Sequence, residues 1–163
     1  MSGNKYVSFK NIPGKDIIFR NFAGRPTKYV PDGGRREFTV IFDDEQLADR
    51  MAADGWKIKY RPVDDPDIKG RPSLGVKVNF NSSYPPIIEQ VTSHGCTRLD
   101  EESVTALDFD EIVSAKMRIR GWEYEPGKLS AYLVRMEAEI QDDYMDSYGN
   151  SYSDDAISDD VPF

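Results

Sequence analysis

The chain has one cysteine and one histidine, Cys96 and His94, and so is nearly without the side chains that most often hold metals or form nucleophile–base pairs. A lone cysteine excludes an intrachain disulfide and favours a reducing compartment. The two residues stand in Ser93-His94-Gly95-Cys96-Thr97 and could offer two zinc ligands. No second Cys/His pair completes the shell, so a turn with a half-buried thiol is the simpler reading. Long apolar runs are also missing. Nothing approaches the roughly 18 apolar residues of a membrane-spanning helix, and MSGNKYVSFK lacks the apolar stretch of a signal peptide. No membrane partner is expected. A Walker-type phosphate loop and a dinucleotide fingerprint are absent, and Gly33-Gly34 reads as a turn.

Acidic residues are plentiful, but not in metal-binding order. Asp142, Asp143 and Asp146, like Asp154 and Asp155, lack the spacing of a calcium-binding loop. Asp64-Asp65-Pro66-Asp67 reads as a turn rather than a nuclease site. The expectation is a protein with no catalytic residues, no metal and no cofactor, and so not an enzyme.

Basic residues are missing from one end. Residues 142–163 hold seven aspartates and no Lys or Arg. The whole chain carries 29 acidic and 21 basic residues for a net charge of −8, so removing those seven leaves 22 against 21. A near-neutral body thus carries a strongly acidic tail, an asymmetry that suits an interaction segment. The tail is rich in Asp, Ser, Tyr, Gly and Asn and cannot bury enough apolar area to offset its ordering entropy. The organisation expected is a folded domain over 1–141 and a disordered acidic tail over 142–163.

Within the body, periodicity places the elements. Residues 1–15 read as a loose lead-in with one short strand. Residues 16–22 read as a strand, and Ala23 to Arg36, with two prolines and three glycines, as a long loop of the kind that is usually functional or disordered. A strand over 37–42 precedes a helix over about 44–54, capped by Asp43 with Gln46 and stopped by Gly55. Alternation predicts strands over 56–61, 74–80 and 86–92. A helical turn opens near Asp100. Strands over 112–124 and 128–140 flank Glu125-Pro126-Gly127-Lys128, which has type II turn chemistry. In the first of these, Val113, Ala115, Met117 and Ile119 share a face. In the second, Tyr132, Val134, Met136, Ala138 and Ile140 do. About seven strands and one helix, without a βαβ rhythm, predict a mainly β fold: an antiparallel sheet closed or nearly closed into a small barrel, with a short capping helix.

Cationic residues interleaved with aromatics carry the functional signal. Lys57, Lys59, Arg61, Lys77, Arg118 and Arg120 sit on strand faces opposite the expected core. Trp122 shares its face with Arg118 and Arg120. The long loop adds Arg25, Lys28, Arg35 and Arg36 around Tyr29. Single strands of nucleic acid are held by cationic grooves that track phosphates and by aromatic rings that stack bases. Trp56 and Tyr60 complete the candidate set, although both suit the core better than a platform.

The end of the chain, Asp159-Asp160-Val161-Pro162-Phe163, resembles the acidic C-terminal tip of bacterial single-stranded DNA-binding proteins. The stretch from Asn21 through Arg36, with Asp54-Gly55-Trp56 and Val76-Lys77-Val78-Asn79, is similar to a family of phage single-stranded DNA-binding proteins with an OB-type core. The resemblance implies an OB-fold body that coats single-stranded DNA without sequence preference during phage replication or recombination. It also implies a cytoplasmic location in the infected bacterial host and a tip that recruits replication or recombination proteins. The tip chemistry agrees. A partner could seat the Phe163 ring in an apolar pocket and pair its α-carboxylate with Arg or Lys. Pro162 stiffens the approach, and the aspartates speed encounter with a basic surface. An acidic DNA mimic that inhibits a DNA-processing enzyme, and a phage structural or adaptor β-barrel, are the competing expectations.

Overall fold

The protein is described here by a computed structural model covering residues 5–141. The tail with its tip, Asp159 to Phe163, and its expected disorder lie outside the described residues. Nine strands form one sheet: β1 (Lys5–Pro13), β2 (Ile17–Asn21), β3 (Glu37–Ile41), β4 (Ile58–Tyr60), β5 (Pro72–Lys77), β6 (Ile87–Thr92), β7 (Gly95–Leu99), β8 (Ile112–Glu125) and β9 (Lys128–Ile140). Among the described residues one α-helix, α1 (Glu45–Asp54), follows β3, and two short 3-10 helices span Gly14–Asp16 and Ser103–Asp108. The hydrogen-bonded order is β1-β8-β9-β5-β3-β2, with β4 on β5, β6 on β9 and β7 on β6. The mainly β, OB-like architecture read from the sequence is what the structure has, but the sheet does not close, since β1 and β2 end the order. Pairing is antiparallel except where β5 and β6 run parallel to β9.

Several local expectations are corrected. The supposed lead-in is a nine-residue strand paired to β8, with Val7 and Phe9 facing the core. Gly95, Cys96 and Thr97, read as part of a turn, belong to β7 (Gly95–Leu99), which pairs with β6, and Cys96 is exposed rather than half-buried. The cap of α1 is Asp44, whose side chain accepts from the Leu47 N–H at 3.0 Å. Asp43 instead accepts from Arg71 Nε at 2.7 Å. Gly55 ends the helix in the left-handed region at φ 108°, as expected. Its carbonyl accepts from the Leu129 N–H at 2.9 Å, which ties the helix end to the β8–β9 turn.

The face assignment of the long hairpin changes most. In β8, Ile112 takes the core position and Val113 is exposed, because the pairing shifts between Ile112 and Ser114. In β9, Arg118 pairs with Arg135 but Ile119 pairs with Leu133, so Val134 is an extra residue. Such a bulge reverses the inward–outward alternation. Leu129, Ala131 and Leu133 are buried before it, and Met136, Ala138 and Ile140 after it. Tyr132 and Val134 therefore leave the core face assigned to them.

The core runs through Phe22, Phe38, Leu74, Ile88, Leu107, Ile119 and Met136, with the Phe22 and Phe38 rings stacked at 5.2 Å. Polar clamps hold its rim. Arg20 donates from Nε to the Ile17 carbonyl at 2.8 Å and from Nη2 to that of Gly14 at 2.8 Å. Its Nη1 reaches the carbonyls of Leu107 and Asp110 at 3.2 and 2.9 Å. Burial lowers the pKa of this guanidinium, against the opposing pull of Asp108 and Asp110. The buried Asp16 carboxylate accepts from Arg71 Nη1 and Nη2, both at 2.8 Å. Those bonds hold Asp16 below the usual carboxylate range against the effect of burial.

A carboxyl whose pKa is depressed by folding stabilises the fold above its unfolded pKa of about 3.9. That contribution disappears as pH falls through the lower folded value. Asp16→Asn is therefore expected to cost about 2 kcal/mol near neutral pH, the scale of hydrogen bonds to a charged group. Urea unfolding at neutral pH and at successively lower pH should show the gap between wild type and variant closing in acid.

Candidate nucleic-acid interface

The bulge in β9 brings together side chains from four adjacent strands. Tyr132 pairs with Arg120 of β8, and Arg120 pairs with Tyr6 of β1. On the other side Lys77, the last residue of β5, pairs with Tyr132. Directly opposed residues point to the same face of a sheet. Tyr6, Arg120, Tyr132 and Lys77 therefore form a row alternating between ring and cation. Arg118 stands over the Tyr6 ring at 4.4 Å, and Lys77 and Arg120 over the Tyr132 ring at 5.7 and 5.9 Å. Trp122 and Tyr84 complete a groove of about 530 Å³, with Asn79 and Ser82 along its edge. Trp122 is 49% exposed, and Tyr6 and Tyr84 are exposed as well.

The cations in and beside this groove are not held in ion pairs. Among the described residues no ion pair engages Lys77, Arg118 or Arg120. Elsewhere on the sheet, Lys116 lies 3.6 Å from Glu137, and Arg135 lies 2.6 Å from Glu89. Three cations without carboxylate partners, spaced by aromatic rings, offer phosphate contacts and stacking surfaces together.

The other candidates divide. Arg25, Lys28, Tyr29 and Arg35 line a second concavity of about 540 Å³ with Phe19, and Arg61 stands over the Phe19 ring at 5.1 Å. The start of the loop is held by Asp108, whose buried carboxylate accepts from the Phe22 and Ala23 N–H groups at 2.7 and 3.2 Å and lies 3.4 Å from Arg25. The Asn21 side chain also brackets Arg25, donating to its carbonyl at 3.0 Å and accepting from its N–H at 2.8 Å. The long loop is thus pinned at its base.

Arg36 belongs to the scaffold, not to either concavity. It donates to the carbonyls of Phe22 and Glu101 at 2.6 and 2.9 Å, and its side chain is mostly covered. Trp56 is 5% exposed. A Cβ at Gly121 would lie 2.9 Å from its ring, so the missing side chain of Gly121 makes room for the indole in the core. Its ring has no face left for stacking, a correction to its place among the candidates. Tyr60 carries Lys69 over its ring at 4.2 Å, and Lys57 stands over Tyr124 at 4.7 Å. Lys59 is exposed on β4, its carbonyl taken by the Ser73 hydroxyl at 3.0 Å.

Sequence reasoning missed Tyr6, Phe19, Tyr84 and Tyr132. Tyr6 was within reach, because Val7 and Phe9 alternate with Tyr6, Ser8 and Lys10 as a half-buried strand does. Nothing in the pattern of β9 marks the extra residue that turns Tyr132 outward. No group of three or more His, Cys, Asp or Glu side chains suited to a metal occurs among the described residues.

The family model described as "Putative phage ssDNA-binding domain" matches residues 1–154. Among solved structures, the single-stranded DNA-binding protein from bacteriophage Enc34 is similar in two forms. Its C-terminal truncation has a TM-score of 0.53 at 14% identity, over 85% of this chain and 87% of that one. The same protein in complex with ssDNA has a TM-score of 0.49 at 12% identity, over 85% and 88%. No curated protein matches the chain. The family match spans nearly the whole sequence, and the chain belongs to this family of phage single-stranded DNA-binding domains.

The two tryptophans differ enough in exposure to test this geometry without a ligand. Acrylamide should quench a readily accessible component of the intrinsic fluorescence. Trp122→Phe should remove that component and leave the shielded emission of Trp56. An equally accessible indole in the variant would contradict the placement of Trp56 in the core.

Proposed function

We propose that this member of the phage family coats single-stranded DNA without sequence preference and without catalysing a reaction, in phage replication or recombination in the cytoplasm of the infected bacterium. The observation that carries this reading is the row of Tyr6, Arg120, Tyr132 and Lys77, flanked by Arg118 and Trp122, with no ion pair engaging its cations among the described residues. Every base has a π-face, and every nucleotide brings a phosphate. A groove made of rings and cations therefore accepts any sequence. A duplex keeps its bases stacked inside, so the rings can grip a single strand but not a helix. A DNA mimic would present acid where this sheet presents Lys77, Arg118 and Arg120, and a structural barrel has no need for the exposed rings.

The tip, Asp159-Asp160-Val161-Pro162-Phe163, is in this reading the recruiting element for replication or recombination enzymes. Its support is chemical: a terminal ring with its own carboxylate, a stiffening proline, and aspartates that steer it to a basic partner.

Fluorescence titration with oligothymidine tests the groove. Trp122→Ala and Tyr132→Ala should each weaken binding by about 1–3 kcal/mol, the range for one base–ring stack. Replacing Lys77, Arg118 and Arg120 together by Gln should flatten the slope of log affinity against log salt by about 2, at roughly 0.7 per phosphate contact for single strands. No binding of a long single strand at low salt would contradict the reading.

Deleting residues 154–163 should keep or tighten DNA binding while abolishing capture of the partner enzymes. A deletion that destroyed DNA binding would contradict the role given to the tail.

A further inference from the structure

The row that carries the groove continues across the sheet. Lys77 pairs with Glu37 of β3, and Glu37 pairs with Asn21 of β2. The full line is Tyr6, Arg120, Tyr132, Lys77, Glu37, Asn21, one residue from each of six adjacent strands. At roughly 4.8 Å per strand it is about 24 Å long. Asn21 and Glu37 line the second concavity, so the two concavities lie at opposite ends of one sheet face. Glu37 is the single acidic member of the line, and Arg35 Nη1 lies 4.0 Å from its carboxylate.

At the far end stands Phe19. It is 66% exposed and adopts a φ of 52°, in the left-handed region that bulky side chains rarely enter. The cause is a bulge. Phe19 and Arg20 occupy the interval between the pairs Ile18–Thr39 and Asn21–Glu37, where β3 has only Phe38. Arg20 turns back to its four carbonyls, and the Phe19 ring is thrust outward. A strained backbone that exposes an aromatic ring is retained where the ring has a task outside the core. Arg61 stands over the ring, and the exposed Tyr29 lines the same concavity.

The face between the two ends is open. Gly75 of β5 pairs with Thr39 and lies two residues before Lys77, so it shares the face of the row. A Cβ there would meet nothing within 4 Å. A glycine inside a strand with free space above it suits the close approach of another backbone.

We propose that the concavity around Phe19, Arg61 and Tyr29 is a second base-stacking subsite, filled by the same DNA strand after it crosses the sheet over Gly75 from the Trp122–Tyr132 groove. The inference rests on the reading of the chain as a single-stranded DNA-binding protein. The path of about 24 Å equals about seven nucleotides at the 3.4 Å spacing of a duplex strand, and fewer when the strand is extended. An oligonucleotide of about three residues fills one subsite, and one of about ten reaches both.

The test compares oligothymidines of about three and about ten residues, by anisotropy at low salt, on the full chain and on Phe19→Ala and Gly75→Val. Wild type should bind the longer strand more tightly. Phe19→Ala should remove about tenfold of that advantage, the effect of one lost stack. The Trp122 quenching produced by the short strand should stay unchanged. Gly75→Val places a β-favouring side chain in open space, so thermal unfolding should show the fold intact while the advantage of the longer strand falls. Unchanged affinity of both variants for the longer strand would overturn the second subsite while leaving the groove in place. Failure of wild type to bind the longer strand at all would defeat the DNA-binding reading itself, and the subsite with it.

Discussion

One extra residue in β9 decides what this sheet can present. Without Val134, Tyr132 would stay in phase with Met136 and face the core, as its spacing suggests. The extra residue reverses the phase, and Tyr132 comes out beside Arg120, Trp122 and Lys77. A bulge usually weakens a ladder locally. Here the thirteen residues of β9 lie between β8 on one side and β5 and β6 on the other, so the surrounding pairs hold the irregularity in place. A second bulge does the same for Phe19 at the end of the order. Both irregularities turn an aromatic ring out of the regular alternation.

Two groups of the body's basic residues do different kinds of work. Arg20, Arg36 and Arg71 are absorbed by the fold, where carbonyls and the carboxylates of Asp16 and Asp43 take up their donors. Lys77, Arg118 and Arg120 meet rings rather than carboxylates. A guanidinium over an aromatic face keeps most of its charge available to an incoming phosphate, and the ring below is held in position for a base. Net charge conceals this division. Nearly all of the net negative charge belongs to the residues after 141 in the sequence, and residues 1–141 are close to neutral.

The sequence made the hairpin of β8 and β9, the helix α1 and its Gly55 stop legible, because alternation, capping and turn chemistry are local. The position of the cap was off by one, since Asp43 and Asp44 are both competent and only the distant Arg71 separates their roles. β1 has the alternation of a strand, but its short apolar pattern gains meaning only from β8. Arg118, Arg120 and Trp122 were legible because they share a face with no competing apolar residue. Tyr132 and Phe19 were not, because a bulge is fixed by the partner strand and leaves no mark in its own. Trp56 alternates with Lys57 as a core residue does, and the space for its indole comes from Gly121, 65 positions away.

The central claim is that single-stranded DNA lies on the face that the β9 bulge builds. Photocrosslinking with a halogenated single strand, followed by peptide mapping of the crosslinked residues, addresses it most directly. Crosslinks should concentrate at Tyr6, Trp122 and Tyr132. Crosslinks confined to the outer surface of α1 or to the β6–β7 hairpin, with none on β8 or β9, would contradict it.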